Sequence, residues 1–194
     1  MLQEFSEGKR IHGVIGELIY NKPWGDLDEQ QMLRAKGVVF GSFYGRSARS
    51  IAIEHQVPIK TAEYWQSVCI MRYPGIRSYL KKQADEFYKT QRCTTPFGRV
   101  RFLQIVTQSY NTPVQSSASD VMLTGLIELY KAGFDLRISV HDSVILHVKD
   151  CDIPDATREL KRILERPIKQ LNNYQFPVKI SQGKDWYNMK EVAI

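Results

Sequence analysis

A chain of 194 residues can bury one sizeable core or two small ones. Hydrophobic residues at 43% and charged residues at 25% are ordinary for a globular protein, and no apolar run reaches the roughly 18 residues that a membrane span needs. A net charge of +6 and a pI near 9.2 favour a polyanionic partner, of which nucleic acid is one class.

In chain order, the opening "MLQEFSEGKR" lacks the apolar core of a signal peptide. With three scattered cysteines (Cys69, Cys93, Cys151) and no ligand spacing between them, the expectation is a cytoplasmic or nucleoid-associated protein without a disulfide framework. "GKRIHGVIGELIYN" places Ile11, Val14, Ile15, Leu18 and Ile19 on one helical face. After the breaker "NKPWGD", Asp26 and Glu29 have the spacing of a capping box, which predicts a helix from about 27 to 44 with Gly45 just past its end. Helices are predicted at about 47–56, 60–72 and 74–88, punctuated by Pro58 and Pro74.

The texture then changes. "YKTQRCTTPFGRVRFLQ" reads as a hairpin around Pro96-Phe97-Gly98. A helix is predicted from about Val114 to Tyr130, followed by a second hairpin over "RISVHDSVILHV", residues 137–148. There Ile138, Val140, Val144, Leu146 and Val148 recur at the period of a half-buried strand, with His141-Asp142-Ser143 at or near the tip. A helix at about 154–171 and a strand at 177–182 complete an α+β chain in two subdomains sharing a cleft.

Four groups of residues can carry chemistry. Lys36, Phe40 and Tyr44 are spaced i, i+4, i+8 and fall within roughly 80° of arc. They form either a stripe that cradles phosphate, sugar and base, or a core stripe with a snorkelling lysine. His141-Asp142-Ser143 either holds a hard cation through its carboxylate or simply makes the turn. "QSYNTPVQSSASD" places Asn111, Gln115 and several serines where a helix begins, suited to a nucleic-acid backbone or to ordinary capping. Lys81, Lys82, Lys89, Arg92, Arg99 and Arg101, with Phe97 and Phe102 between them, form a phosphate-tracking surface or a solvated face. No P-loop, GxSxG elbow or HExxH is present.

Their order discriminates. A lysine-aromatic-tyrosine helix, an Asn-x-Pro-x-Gln segment and Val-His-Asp in a hairpin resemble the C-terminal part of family-A DNA polymerases. "FSEGKRIH" resembles the entry to the helix before the fingers helix, "RAKGVVFGSFYG" motif B, "TPFGRVRFL" the following palm segment and "VHDSVILHV" motif C. "VKISQGKDW" resembles the closing strand and Gly-x-x-Trp, so the likeness covers nearly the whole chain.

The resemblance implies a helical fingers region over 1–90 and, over 91–194, part of an antiparallel-sheet palm with flanking helices. It implies that Lys36 and His12 contact the triphosphate of an incoming dNTP, that Phe40 senses the sugar 3′ position, and that Tyr44 lies beside the nascent base pair. Asn111, Gln115 and the basic surface at Arg99 would touch primer-template DNA. His141 would steady the primer terminus, and Asp142 would hold Mg²⁺ as one carboxylate of a two-metal site.

The sequence departs from the family pattern at several positions. Met32 stands where an arginine is usual, Arg34 points about 200° away from Lys36, and phosphate binding would lean on Lys36, His12 and Arg46. Ser143 replaces a glutamate and Thr107 an arginine. The 35 residues before Lys36 contain no Asp-Tyr-Ser-like strand of motif A. The expectation is therefore a split or truncated polymerase, of phage type, that works with a second polypeptide or upstream region carrying motif A and the thumb. The alternative is a non-catalytic DNA-binding remnant.

Overall fold

The computed structural model describes residues 1–192, and the chain divides into two compact units. The first comprises Met1–Cys93 and Val100–Pro113; the second comprises Thr94–Arg99 and the chain from residue 114 onward.

The first unit is built from helices: α1 (Leu2–Ser6), α2 (Ile11–Tyr20), α3 (Glu29–Phe43), α4 (Ala48–His55), α5 (Ile59–Arg72) and α6 (Pro74–Thr90). In α2, Ile11 and Ile15 are buried, but Leu18 is exposed, so the apolar face is narrower than the sequence pattern suggested. The capping box of α3 is Asp28 with Gln31, two residues beyond the Asp26–Glu29 pair expected to form it. Both pairs have the right spacing. Trp24–Asp26 closes into a 3₁₀ turn and Leu27 is buried, which leaves Asp28 as the residue whose carboxylate accepts from the Gln31 N–H at 2.7 Å.

Ala35, Val38, Val39 and Ser42 form the buried face of α3 at i, i+3, i+4, i+7 spacing. Of these, Val38 and Val39 join Ile15, Ile51, Ala62, Trp65 and Cys69 in the main core. Gly37 lets α4 approach α3 closely, because a Cβ there would lie 2.4 Å from His55 Nε2. The short α1 is fastened by Glu4, which pairs with Arg72 and, at 3.2 Å, with the N-terminal amine. Burial disfavours charge on Glu4, yet bonds from Arg72, Tyr73 and the N-terminus outweigh it and bring the carboxyl down to about 2.

Strands β1 (Arg92–Thr94) and β2 (Val100–Phe102) form the expected hairpin, with Gly98 at φ +81°. Helix α7 runs Val106–Lys131, so it begins eight residues before the Val114 start expected from sequence. Pro113 lies inside the helix rather than at its first turn. The true start is marked instead by the Gln104 N–H, which donates to Gln108 Oε1 at 2.8 Å, and by Ser109 Oγ, which donates to the Val106 carbonyl at 2.6 Å.

In the second unit, β3 (Asp135–Val140) pairs antiparallel with β4 (Ser143–His147). The register pairs Leu136 with Leu146 and Ile138 with Ile145, so Arg137 is the extra residue of a β-bulge. A bulge changes which face the next residues occupy. Leu136, Val144 and Leu146 therefore face the core around Leu129, Leu160 and Ile163, whereas Ile138 and Val140 lie exposed. The single apolar face expected from simple alternation is thus split across two faces. Helix α8 (Ile153–Leu164) stops before Pro167, which disfavours helical conformation at the residue before it, so the expected helix to 171 survives only as a 3₁₀ turn at Lys169–Leu171. The expected strand at 177–182 narrows to β5 (Ser181–Gln182), paired with β6 (Lys190–Glu191).

Candidate nucleotide and nucleic-acid site

On α3 the buried face fixes the opposite face toward solvent. Lys36 and Phe40 are exposed and Tyr44, the C-cap residue, is half-buried. This removes the core-stripe reading. The Phe40 and Tyr44 rings lie nearly parallel, with centroids 6.1 Å apart and an interplanar angle of 16°. Tyr44 sits at a sharp exit from the helix: Gly45 adopts φ +70°, and a Cβ there would meet the Tyr110 ring at 2.5 Å. Behind it, Tyr79 donates its hydroxyl to the Tyr110 carbonyl at 2.9 Å, and its pKa is pushed up to about 12, first by burial and then by Cys93 and Tyr44.

At the other end of the stripe, His12 and Lys36 share a depression of about 240 Å³ with Trp24, Glu29, Met32 and Leu33. His12 is in the first turn of α2, its ring edge-on to Trp24 with centroids 5.4 Å apart. Burial, then the positive charges of Arg10 and Lys36, lower its pKa below the usual imidazole value. The Lys36 ammonium makes no ion pair among the described residues. The pocket therefore joins a free cation, a histidine whose protonation an arriving anion would favour, and an apolar wall.

The neighbouring arginines are occupied elsewhere. Arg34 donates to the His55 carbonyl at 3.4 Å, away from Lys36. Arg46 pairs with Glu54 and donates to Ser50 Oγ at 2.9 Å, so it is held on α4 rather than joining Lys36 and His12.

Asn111 and Gln115 lie inside α7, not at its start. Asn111 is half-buried, and its Oδ1 is buried without a hydrogen-bond partner among the described residues. Gln115 is exposed. In the second unit, Arg99 donates through Nε to both carboxylate oxygens of Asp120, at 3.2 and 3.3 Å.

His141 and Asp142 form the two-residue tip of the β3–β4 hairpin, with His141 at φ +53°. That conformation is uncommon for a residue with a side chain. Ser143 Oγ donates to the Val140 carbonyl at 2.9 Å and closes the tip, leaving the exposed Asp142 carboxylate without a protein partner among the described residues. No group of three potential metal-ligating side chains occurs among the described residues. Asp142 is a hard oxygen donor, and it fits one corner of a divalent-cation site rather than a whole one.

Sequence reasoning missed Trp24, Tyr79 and Tyr110. Each supports the site through a contact distant in sequence, and only the "NKPWGD" breaker hinted that Trp24 served more than a turn.

The first unit is thus a helical body with an exposed cation–aromatic helix face, and the second carries small antiparallel hairpins, one with an acidic tip. The model for DNA polymerase family A matches residues 1–188, and the chain belongs to that family. It is 24% identical over 213 residues to the thermostable DNA polymerase I of Thermus aquaticus, covering 98% of this chain and 25% of that protein. It is likewise 24% identical over 208 residues to DNA polymerase I of Helicobacter pylori strain J99, covering 98% of this chain and 22% of that protein. Among solved structures it is similar in fold to the POL domain of Pol1 from M. smegmatis in complex with DNA primer-template and dNTP. There the TM-score is 0.74 at 21% identity, over 84% of this chain and 32% of that one. The chain spans about a quarter of the length of the curated relatives it matches. No helix among the described residues is long and apolar enough to cross a membrane.

Proposed function

We propose that this chain forms the fingers (residues 1–90) and part of the palm (91–194) of a template-directed DNA polymerase that adds dNTPs to a primer 3′ end. The observation that carries the reading is the solvent-facing stripe Lys36–Phe40–Tyr44, with His12 beside Lys36 in one pocket. Lys36 and His12 bind the triphosphate by charge. Phe40 packs against the sugar, and Tyr44, backed by Tyr79 and Tyr110, supports the nascent base pair. Asn111, with its unpartnered buried oxygen, and the exposed Gln115 contact primer-template DNA, and Arg99 does so while oriented by Asp120. His141 holds the primer terminus.

Asp142 supplies one carboxylate toward Mg²⁺, which when bound neutralises developing charge on the phosphates. The second carboxylate comes from motif A, on a second polypeptide or on an upstream region that also carries the thumb. The exposed Ile138 and Val140 beside the Asp142 tip support a strand docking there.

The test is primer extension with dNTPs and Mg²⁺, by the chain alone and then mixed with a polypeptide carrying motif A and the thumb. Extension only in the mixture is the expected result. Met32 and Ser143, which stand where the family pattern has an arginine and a glutamate, support a second reading, a non-catalytic DNA-binding remnant. That reading predicts salt-dependent DNA binding with no extension in either case.

A further inference from the structure

Outside the nucleotide face, the first unit carries an unexplained surface at the junction of α6 and the β1–β2 hairpin. The Arg92 guanidinium lies over the Phe102 ring, 4.5 Å from its centroid. Both residues are open to solvent, Phe102 at 69%. The hairpin's other side explains why. Cys93 and Leu103 are buried against Phe87, and this anchors the hairpin so that its remaining side chains turn outward. The Thr90 hydroxyl accepts from the Arg92 N–H at 3.2 Å and fixes where β1 leaves the helix. A guanidinium over an exposed ring offers, with that ring, planar surface on which a further flat group can stack. An unpaired base is such a group.

The charge on α6 leads toward the same place. Lys82 and Lys89 are spaced i, i+7, so they share one exposed helix face ending next to Arg92, and they line one depression of about 540 Å³ with Lys81 and Thr90. The acids in that depression are Asp85, which pairs with Lys81 at 2.7 Å, and the half-buried Glu86. Lys82, Lys89 and Arg92 make no ion pair among the described residues.

We propose that Lys82, Lys89, Arg92 and Phe102 form a single-stranded DNA subsite, with a base stacked on the Arg92–Phe102 pair and backbone phosphates along the two lysines. The occupant is single-stranded because the plane available suits an unpaired base, which duplex DNA does not offer. This inference rests on the proposed polymerase reading only for the identity of the nucleic acid as DNA.

The test is fluorescence anisotropy of the full chain with a labelled 12-nucleotide oligo-dT and with a blunt duplex, across a salt series. Phe102→Ala is expected to weaken oligo-dT binding about 5- to 150-fold and to spare the duplex. Arg92→Lys keeps the charge and removes the plane, so it weakens oligo-dT binding with little change in salt slope. Lys89→Ala lowers the salt slope by about 0.7, one single-strand phosphate. Both aromatic-pair residues are exposed, and unchanged melting of each variant shows that its fold is intact. Wild-type oligo-dT affinity in Phe102→Ala and Arg92→Lys overturns the subsite, as does equal loss on the duplex. Primer extension by the assembled enzyme with the wild-type chain separates the two ideas. If the assembled enzyme never extends a primer while oligo-dT binding still requires Phe102, the polymerase reading fails and the subsite stands.

Discussion

The two units of the chain bury their apolar residues to different extents. The first closes a helical core around Ile15, Val38, Ile51, Ala62 and Cys69, each fully buried. The second has the smaller buried cluster of Leu129, Leu160 and Ile163, while both units leave large apolar side chains in solvent, Ile53 and Met71 in the first and Ile127 and Tyr187 in the second. A two-stranded hairpin is marginal without further strands or a helix over it. The Lys36–Phe40–Tyr44 face is thus mounted on the larger core, while the acidic tip sits on a hairpin whose outer face is exposed. Under the proposed function, a chain carrying motif A would dock on the second unit and leave the first as it is.

The comparison breaks most sharply at the acidic tip. Asp142→Ala should abolish extension by the assembled enzyme without altering the melting of this chain, since its exposed carboxylate holds no protein partner among the described residues. Primer extension and thermal melting together check it, and near-normal extension would remove Asp142 from the metal site.

The next effect concerns the two cores. Ile51→Ala should cost about 2–5 kcal/mol and lower amide-exchange protection in the first unit. Leu129→Ala removes one of the three buried residues of the second unit's apolar cluster, so it should strip protection from the whole second unit. Adding the motif A polypeptide should raise protection in the second unit and leave the first unchanged. Hydrogen exchange read by mass spectrometry resolves these cases, and equal protection of both units in the isolated chain would contradict the contrast.

A smaller effect is expected with pH. In the first unit, burial lowers the pKa of His12 and of His55 below 6.5, so the unfolded chain binds their protons more readily. Their contribution to stability is present above about pH 6.5 and is lost as the pH falls below it. Glu4, with a folded value of about 2 against 4.5, contributes above pH 4.5 and loses that contribution as the pH falls toward 2. Urea midpoints across this range should therefore fall in two steps. A His12→Gln, His55→Gln double variant should flatten the upper step and keep the lower one.

Much of this was legible in the sequence where neighbouring residues decide the outcome. The helices bounded by Pro58, Pro74 and Gly45 and the turn at Gly98 follow from local chain chemistry. The Lys36–Phe40–Tyr44 stripe followed from helical spacing, although spacing alone left its direction open. Only the packing of Ala35, Val38 and Val39 turned Lys36 and Phe40 outward. What was not legible was decided by competition or by distance. Asp26 and Asp28 offered equivalent caps, and burial of Leu27 chose between them. The bulge at Arg137 carries no glycine to announce it. Pro113 reads as a helix start when it is an interior residue. Trp24, Tyr79 and Tyr110 reach the site from other elements, which no periodicity reveals.

The most direct test of the central claim, that the exposed face of α3 holds the nucleotide, is the KM for dNTP of the assembled enzyme carrying Lys36→Ala. Loss of a charge-assisted phosphate contact worth about 1.5–3 kcal/mol should raise KM roughly 10- to 150-fold, with affinity for primer-template DNA unchanged. An unaltered KM would show that the triphosphate binds elsewhere.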